Sequence, residues 1–341
     1  MVGEFSMTSI SGWSKWPGTA DEWETVLLSF DDANIYQCGR WGLHRSKFGW
    51  NVTQLAHLSN GSVTAIAQIL YRKITPLAML CWIPGGPVGD LKTCDSEFIS
   101  CIRKLSTAQI LHIHLSAMTQ YSNDLASSLQ THGWRKPRGM LNSDKTLIYD
   151  IDPNVTQRYD KLSKNWSRNL SRGQQRELTV SEWMNPTASQ IAALTTEMSR
   201  YKNLGNKLQE LDQTTESLLK NFENDILMVK CTNSDGDLLA FRGAVKLGHK
   251  AFDMFAAASQ AGRKEYASNL CFWKLIELCG RDGITRFDLS GVDPERNPGV
   301  YNFKKGIGAT DFTYLGEWSY SRPRIVDTIV SRMIARRKRP E

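Results

Sequence analysis

A cluster of basic residues is the part of this sequence whose spacing most directly suggests chemistry. Six lysines and arginines lie between Arg158 and Arg176. Arg168 and Arg172 are four residues apart in a predicted helix, so their side chains project from one face, which Lys164 and Arg176 extend in both directions. Like charges on one face repel, and a bound polyanion would offset that cost. The cluster predicts phosphate binding, either to RNA or to a nucleotide-linked substrate; the alternative is a solvated helix face.

A second basic segment lies near the C-terminus, where seven lysines and arginines fall between Arg322 and Arg339. The net charge of +7 is moderate, so the two segments form local patches on an otherwise mixed surface. Such patches raise the local concentration of nucleic acid or of phosphate-bearing substrates. An ordinary basic tail is the alternative interpretation of the C-terminal segment.

Metal and triad chemistry find little support in the other polar residues. His112 and His114 alternate along a predicted strand and point to the same side, but no third ligand accompanies them, so we expect structural or surface histidines. The seven cysteines are scattered, without a CxxC pair, and we interpret them as buried thiols. No Ser/His/Asp set or paired-carboxylate motif stands out. We therefore expect no bound metal.

The elements that must position these residues follow the same order in both halves of the chain. With 341 residues and 41% apolar composition, about two domains are expected, and no apolar run is long enough to span a bilayer. Turns at Asn60-Gly61 and at Ser234-Asp235-Gly236 predict hairpins. Each hairpin is followed by a strand, a helix and another strand. The predicted spans are strands 50–58, 62–71, 78–83 and 110–116 around helix 97–107, then strands 226–232, 238–247, 250–257 and 286–289 around helix 266–279.

Other helices frame this repeated order. Asp21, with Glu24 three residues on, predicts a capped helix, and a second is expected over 33–41. A basic helix is expected over 156–175. Residues 187–219 are expected to be helical with a break near Gly205.

A distinctive segment follows the last predicted helix and strand. FDLSGVDPERNPGVYNFKKGIGATDFTYLGEW, residues 287–318, combines a strand, a loop rich in glycine and proline, the pair Phe303-Lys304, a glycine turn and a closing strand. It resembles the C-terminal signature of the FemABX aminoacyltransferases, the peptidoglycan interpeptide-bridge enzymes. Three further places fit the family pattern in register, so the resemblance covers residues 35–318. They are Gln37 with Trp41 and Gly49-Trp50, the turn Pro84-Gly85-Gly86-Pro87-Val88, and the basic helix over 164–179.

The resemblance implies an α/β fold with mixed sheets, built as two tandem GNAT-like acyltransferase domains. We place the first at 21–152, on the acceptor side, and the second at 153–341, on the aminoacyl-tRNA side with the basic tail. Some family members carry a long coiled-coil insertion in the second lobe, but residues 185–224 leave room only for ordinary helices. The implied reaction transfers an amino acid from aminoacyl-tRNA to an amine acceptor. The ester is already activated, so no ATP and no cofactor is expected, and we expect a cytoplasmic monomer.

The resemblance also implies roles for the residues of the signature. Lys304 is the candidate for holding the donor's 3′ end or for stabilising the oxyanion of the tetrahedral intermediate. Phe303 would aim it and offer a backbone carbonyl to the amine. Tyr301 is assigned to substrate binding. Lys305 joins Lys164, Arg168, Arg172 and Arg176 as a contact for tRNA phosphate, although it also reads as a surface lysine.

The acceptor side departs from the family pattern. Arg45 stands where the family often has a lysine that contacts the acceptor's pyrophosphate, with Lys47 as a nearby substitute. Ser116-Ala117 stands where Asp-Pro is common, and Phe255, a substrate-binding candidate, stands near a family tyrosine. The acceptor is therefore left open between a nucleotide- or lipid-linked peptidoglycan precursor and another amine, such as a peptide-antibiotic intermediate.

Two other functions compete with aminoacyl transfer. An acyl-CoA-dependent N-acyltransferase of GNAT type would need backbone amides of a glycine-rich loop for the pyrophosphate, yet residues 259–266 contain one glycine and no GxG spacing. A non-catalytic tRNA- or nucleotide-binding module would fit the two departures. The complete loop around Phe303-Lys304 weighs against that module.

Overall fold

The computed structural model describes residues 11–201 and 208–337, which fall into two compact units. Unit 1 comprises the residues up to 144 together with those from 313 onwards, and unit 2 comprises residues 145–312. No described helix is long and apolar enough to cross a membrane.

Unit 1 begins with the N-terminal strand and two helices, followed by a meander. Its elements are β1 (Gly12–Lys15), α1 (Ala20–Leu28), α2 (Gly39–Ser46), β2 (Asn51–Ser59), β3 (Ser62–Thr75), β4 (Ala78–Gly85), β5 (Val88–Gly89), α3 (Ser96–Arg103), β6 (Ile110–Gln120) and α4 (Asn123–Thr131). Short 3-10 turns lie at Ile35–Gln37 and Leu91–Thr93. The predicted hairpin is confirmed: Asn60 and Gly61 both have positive φ, which a tight turn between right-twisted strands requires.

Unit 2 repeats this plan with additional helices. Its elements are β7 (Lys145–Asp150), α5 (Val155–Asp160), α6 (Lys164–Gln174), β8 (Thr179–Glu182), α7 (Ala188–Tyr201), α8 (Leu208–Asn221), β9 (Ile226–Thr232), β10 (Leu238–Leu247), β11 (Lys250–Ala258), α9 (Gln260–Lys264), α10 (Ala267–Arg281), β12 (Arg286–Asp288) and α11 (Pro298–Lys305). A 3-10 turn lies at Glu223–Asp225. The chain then continues into β13 (Thr310–Arg322) and α12 (Ile325–Arg337).

Each unit contains the same arrangement of strands. In unit 1, β2, β3 and β4 form an antiparallel meander, and β6 returns parallel to β4. In unit 2, β9, β10 and β11 form the meander, and β12 returns parallel to β11. The crossover between the parallel strands carries α3 in unit 1 and α10 in unit 2, as the order of predicted elements requires. The repeated order of hairpin, strand, helix and strand is thus present in both units.

The last strand of each sheet comes from a different part of the chain. In unit 1, β6 pairs antiparallel with β13, the C-terminal strand; in unit 2, β12 pairs antiparallel with β7, which precedes the meander. The domains predicted at 21–152 and 153–341 therefore differ from the observed units: the division falls after residue 144, and residues from 313 onwards lie with unit 1. Strand pairing over a long sequence separation is the reason, because nothing local in the sequence reports it.

Separate apolar cores support the two units. The core of unit 1 is built on Phe98, Trp134 and Trp318, and the core of unit 2 on Tyr149, Phe272 and Phe287, all of which are fully buried. Six cysteines are buried and Cys101 is partly buried, all of them free thiols, so the interpretation of the cysteines as buried holds for six of the seven.

Several predicted helices have different limits. α1 is capped by Thr19 with Glu22 in a capping box, two residues before the predicted Asp21 and Glu24. The helix predicted over 33–41 is a 3-10 turn followed by α2. The basic helix predicted over 156–175 is two helices, because Ser163 caps a new start for α6. The region 187–219 folds as the 14-residue helices α7 and α8, and the predicted break at Gly205 lies outside the described residues.

Candidate active site

A cavity of about 530 Å³ in unit 2 brings Lys304 together with charged residues of the meander. Lys304 lies in α11, Arg242 in β10 and Asp253 in β11, and all three line the cavity. The wall is completed by Tyr266 and Asn269 at the start of α10 and by Asn297, which caps α11. A mostly apolar concavity with a few convergent charged groups is the usual form of a substrate site.

The Lys304 side chain is buried in a network of charges. Its Nζ lies 3.3 Å from Asp253 Oδ2 and donates a short hydrogen bond to the backbone carbonyl of Leu289. Asp253 Oδ2 also accepts from Arg242 Nη2 at 2.6 Å. The three residues are only 6% to 9% exposed. Burial lowers the pKa of Lys304, and the neighbouring Asp253 carboxylate partly offsets that effect.

Arg242 is held by aromatic rings as well as by its carboxylate. Its guanidinium carbon lies 3.7 Å from the ring centroid of Phe272 and 5.7 Å from that of Phe303. Arginine stacks well on aromatic faces because its planar cation is weakly hydrated. One carboxylate, Asp253, thus faces two cations in a desolvated site, and its second oxygen, Oδ1, has no hydrogen-bond partner.

Local backbone features set this network in place. The β10–β11 ladder shifts register between Gly243 and Ala244, whose partners are Phe255 and Asp253. A bulge of this kind changes the direction of side chains on the bulged strand. After β12, Ser290 adopts a φ of 62°, donates its Oγ to the Asp253 carbonyl at 2.6 Å and places the Leu289 carbonyl where Lys304 reaches it.

The Gly/Pro-rich loop of the signature encodes a helix start. Asp293 Oδ1 accepts the backbone N–H groups of Glu295 and Arg296, and Asn297 caps α11 with Pro298 at its first position. Phe303 and Lys304 were predicted to lie beside a turn, but they lie within α11, because this cap makes the segment helical.

Phe303 supports the lysine by packing. Its ring contacts Trp166 and Phe272 at centroid distances of 5.9 Å and 5.7 Å, and its carbonyl accepts from Trp166 Nε1 at 2.9 Å. The carbonyl offered to the amine by the sequence analysis therefore already has one partner, and a second lone pair remains.

Tyr301 and Lys305 share a different acid. Tyr301 Oη donates to Asp311 Oδ1 at 2.9 Å, and Lys305 Nζ lies 2.6 Å from Asp311 Oδ2. The hydrogen bond to Asp311 raises the pKa of Tyr301, while the same cluster lowers the pKa of Asp311. Neither residue lines the cavity, so their roles in binding substrate and tRNA stay predictions.

The predicted basic face is present on α6. Lys164, Arg168 and Arg172 are exposed, and Arg172 Nη1 donates to the hydroxyl of the cavity residue Tyr266 at 3.3 Å. The start of α6 is tied to the end of α11 because the Ser163 N–H donates to the Gly306 carbonyl at 2.8 Å. The fourth residue of the face, Arg176, lies beyond the end of α6 and pairs with Glu265 at 3.0 Å.

The segment after β11 closes on itself. Ser259 caps α9, and its Oγ accepts the Gly262 N–H at 2.9 Å, while Tyr266 takes a left-handed conformation with a φ of 60° before α10. The amides that an acyl-CoA enzyme would direct at a pyrophosphate are thus engaged within the protein. Phe255, predicted to bind substrate, is buried in β11 and does not line the cavity.

In unit 1, the predicted acceptor residues lie at the end of α2. Arg45 stacks on Trp82, with its guanidinium carbon 5.3 Å from the ring centroid, and its pKa is lowered by burial and by nearby Arg72. Lys47 is exposed at the C-cap of α2. Their contact with an acceptor stays a prediction.

Two motifs of unit 1 that the resemblance singled out meet in the structure. Gln37 Nε2 donates to the Pro84 carbonyl at 2.7 Å, and its Oε1 accepts the Gln68 N–H at 2.6 Å. Asn34 Nδ2 donates to the Gly85 carbonyl at 2.7 Å. Two buried amides therefore hold the Pro84-Gly85-Gly86-Pro87 turn in place.

The paired histidines have structural partners, as expected. His112 Nδ1 lies 2.7 Å from Ser321 Oγ, and His114 Nε2 lies 3.3 Å from the buried carboxylate of Glu317. Burial lowers the pKa of His112 to about 4. No group of three His, Cys, Asp or Glu residues in the described parts of the chain is placed to hold a metal ion.

Sequence reasoning missed Arg242 and Asp253. Each is a lone charged residue inside an otherwise apolar strand, in AFRGAV and AFDMFA, and such a residue is rarely buried without a partner. That signal was readable, although the sequence could not pair the two.

Comparisons with known proteins agree with this architecture. The FemAB family model matches residues 174–325. A lipid II:glycine glycyltransferase of Staphylococcus aureus (strain bovine RF122 / ET3-1) is 20% identical over 384 residues, covering 89% of this chain and 91% of the relative. That alignment is longer than this chain, so the relative carries residues that this chain lacks.

Solved structures show the same fold. The crystal structure of FemX matches with a TM-score of 0.79 at 16% identity, over 93% of this chain and 100% of that one. A tandem GNAT protein from the clavulanic acid biosynthesis pathway matches with a TM-score of 0.56 at 10% identity, over 91% and 98%. The predicted α/β fold of two tandem GNAT-like domains and the resemblance to the FemABX family are confirmed.

Proposed function

We propose that this chain, which carries the FemAB match at residues 174–325, is an aminoacyltransferase that forms an amide on an amine of a peptidoglycan precursor. The observation that carries the proposal is the buried Lys304 with its Arg242–Asp253 pair in the cavity of unit 2. The glycyltransferase relatives, whose names include lipid II, support a lipid-linked precursor as the acceptor. Aminoacyl-tRNA is the proposed donor, and the reaction would take place in the cytoplasm.

The chemistry needs one charge stabilised and one proton moved. The acceptor amine attacks the ester carbonyl, so a C–N bond forms and the carbonyl oxygen becomes an oxyanion. Collapse of the intermediate breaks the ester C–O bond, and the proton lost by the amine ends on the ribose hydroxyl. Lys304 as an ammonium would stabilise the oxyanion, and a fixed cation in a water-poor cavity does this more strongly than one in water.

The neighbours of Lys304 suit this role. Asp253 keeps the buried ammonium charged, and the Leu289 carbonyl fixes its direction. Arg242, held between Asp253 and the Phe272 ring, keeps the carboxylate in place. These two positioning residues would allow Lys304 to remain protonated despite its burial.

The exposed face of α6 supports a polyanionic donor. Lys164, Arg168 and Arg172 lie on the helix that is tied to α11, so a tRNA backbone bound there would lie near the helix that carries Lys304. Replacing all three by serine is expected to weaken tRNA binding and to lower the dependence of affinity on salt by about 0.7 to 0.9 per lost phosphate contact.

Transfer assays with charged tRNA test the proposal. A labelled amino acid should move to a lipid-linked precursor in an RNase-sensitive reaction, and Lys304→Ala should lower turnover by about a hundredfold with little loss of tRNA affinity. Lys305→Ala is the matched control, because its neighbouring side chain pairs with Asp311 outside the cavity. Transfer that depends on acyl-CoA, or unchanged turnover of Lys304→Ala, would refute the proposal; transfer only to a small amine would replace the acceptor.

A further inference from the structure

Unit 1 contains a second cavity, of about 820 Å³, far from any role assigned above. One face of α3, the end of α4 and the end of β13 form its wall. Arg103, Arg322 and Arg324 line it together with His132, and no aspartate or glutamate is among the lining residues. The three arginines are exposed, and none forms an ion pair with a described residue. Unpaired guanidinium groups around a concave surface favour an anionic partner.

Helix α12 begins at the edge of this cavity and presents an aliphatic face to solvent. Ile325 and Ile329 are 68% and 52% exposed. Arg332, also exposed, follows at a helical spacing of i+7, so the three residues share one face. The opposite face is anchored: Ser331 is buried, and Asp327 Oδ1 accepts from Ser319 Oγ at 2.6 Å. The exposed aliphatic pair thus belongs to a helix that is fixed in place by its other side.

We propose that this basic cavity and the outer face of α12 together form a docking surface for an anionic phospholipid bilayer. Arginine side chains would contact lipid phosphates, and the two isoleucines would enter the boundary between headgroups and acyl chains. The surface consists of Arg103, Arg322, Arg324, Ile325, Ile329 and Arg332.

The aliphatic pair distinguishes a bilayer from RNA as the partner. RNA-binding surfaces combine phosphate contacts with aromatic side chains on which bases stack, and an isoleucine offers no such platform. A bilayer rewards both arginine and isoleucine because charge and apolar surface are bound at adjacent depths. The basic face of α6 in unit 2, which has no exposed aliphatic pair at helical spacing, serves as the comparison surface.

Vesicle sedimentation tests the surface without any transfer reaction, so the result is independent of donor and acceptor. The full chain should sediment with phosphatidylcholine vesicles that contain about one third phosphatidylglycerol, and not with pure phosphatidylcholine vesicles. Added salt should weaken binding, since exposed charges are screened. The triple variant Arg103→Ser, Arg322→Ser, Arg324→Ser should lose about a hundredfold in vesicle affinity, at about fivefold per arginine.

Two further variants separate the possible partners. Ile325→Ser with Ile329→Ser should weaken vesicle binding about tenfold while leaving its salt dependence unchanged. Lys164→Ser, Arg168→Ser, Arg172→Ser removes the same number of charges from α6 and should leave vesicle binding within about twofold. Equal losses from the two triple variants, no loss from the isoleucine variant, or a loss of bulk tRNA binding instead of vesicle binding from the cavity triple would each overturn the proposal. Glycerol phosphate that displaces the chain from vesicles at micromolar concentration would overturn it too, because a soluble phosphate would then be the ligand.

Discussion

Replacing Asp253 by asparagine removes the only carboxylate that contacts both buried cations of the site. Asp253 Oδ2 lies 2.6 Å from Arg242 Nη2 and 3.3 Å from Lys304 Nζ, and the three side chains are between 6% and 11% exposed. Removing one partner from a buried pair costs about 3 to 5 kcal/mol, because the remaining charge keeps its desolvation penalty. We expect Asp253→Asn to lower the free energy of unfolding by about that amount, measured by urea unfolding followed by tryptophan fluorescence.

A double-mutant cycle shows whether the charge pair is the cause. Arg242→Met keeps a long side chain over Phe272 but removes the cation, so Asp253→Asn should cost at least about 2 kcal/mol less in that background. Asp282→Asn is the control, because Asp282 pairs with Lys246 at 2.8 Å near the surface, and such pairs contribute about 1 kcal/mol or less. Additive effects of the two site variants, within about 0.5 kcal/mol, would refute the assignment of the network.

Three other predictions concern pH, backbone and a buried acid. Because burial lowers the pKa of Lys304 while Asp253 raises it, the alkaline limb of turnover should lie below the ordinary lysine value, and Asp253→Asn should move it to still lower pH in single-turnover assays; a limb that stays in place contradicts this. Gly85→Ala should cost about 2 to 3 kcal/mol, because Gly85 has a φ of 69° and a Cβ there would overlap Asn34 Oδ1; Gly61→Ala, with a φ of 77° and open space, should cost only the backbone part, about 1 kcal/mol, and equal losses would exclude the overlap. Glu317→Gln should cost about 1.5 to 3 kcal/mol in urea unfolding, since the buried carboxylate accepts two backbone N–H groups at 2.6 Å; a loss below 0.5 kcal/mol would show that a neutral amide serves equally.

Local patterns accounted for most of the secondary structure. The Asn60-Gly61 turn needs positive φ at both residues, and the alternating strands on either side of it bury one face, so the hairpin is encoded within about 20 residues. The same reasoning gave the meander of unit 2 and the basic face of α6. Helix limits were less accurate because caps decide them, and Thr19, Ser163 and Asn297 each competed with other plausible caps.

The sequence alone determined the repeated order of elements, the signature around Phe303 and Lys304, and through them the family resemblance. Only the tertiary structure decided which charges meet Lys304: Arg242 and Asp253 lie on neighbouring strands, and Lys304 reaches them from a helix about 50 residues further on in the chain. Tertiary structure also decided that the last strand, β13, joins unit 1, which moved the unit boundary. The physical reason is common to both: a buried charge or an unpaired strand edge states that it needs a partner, but the partner's identity depends on pairings across long sequence separations.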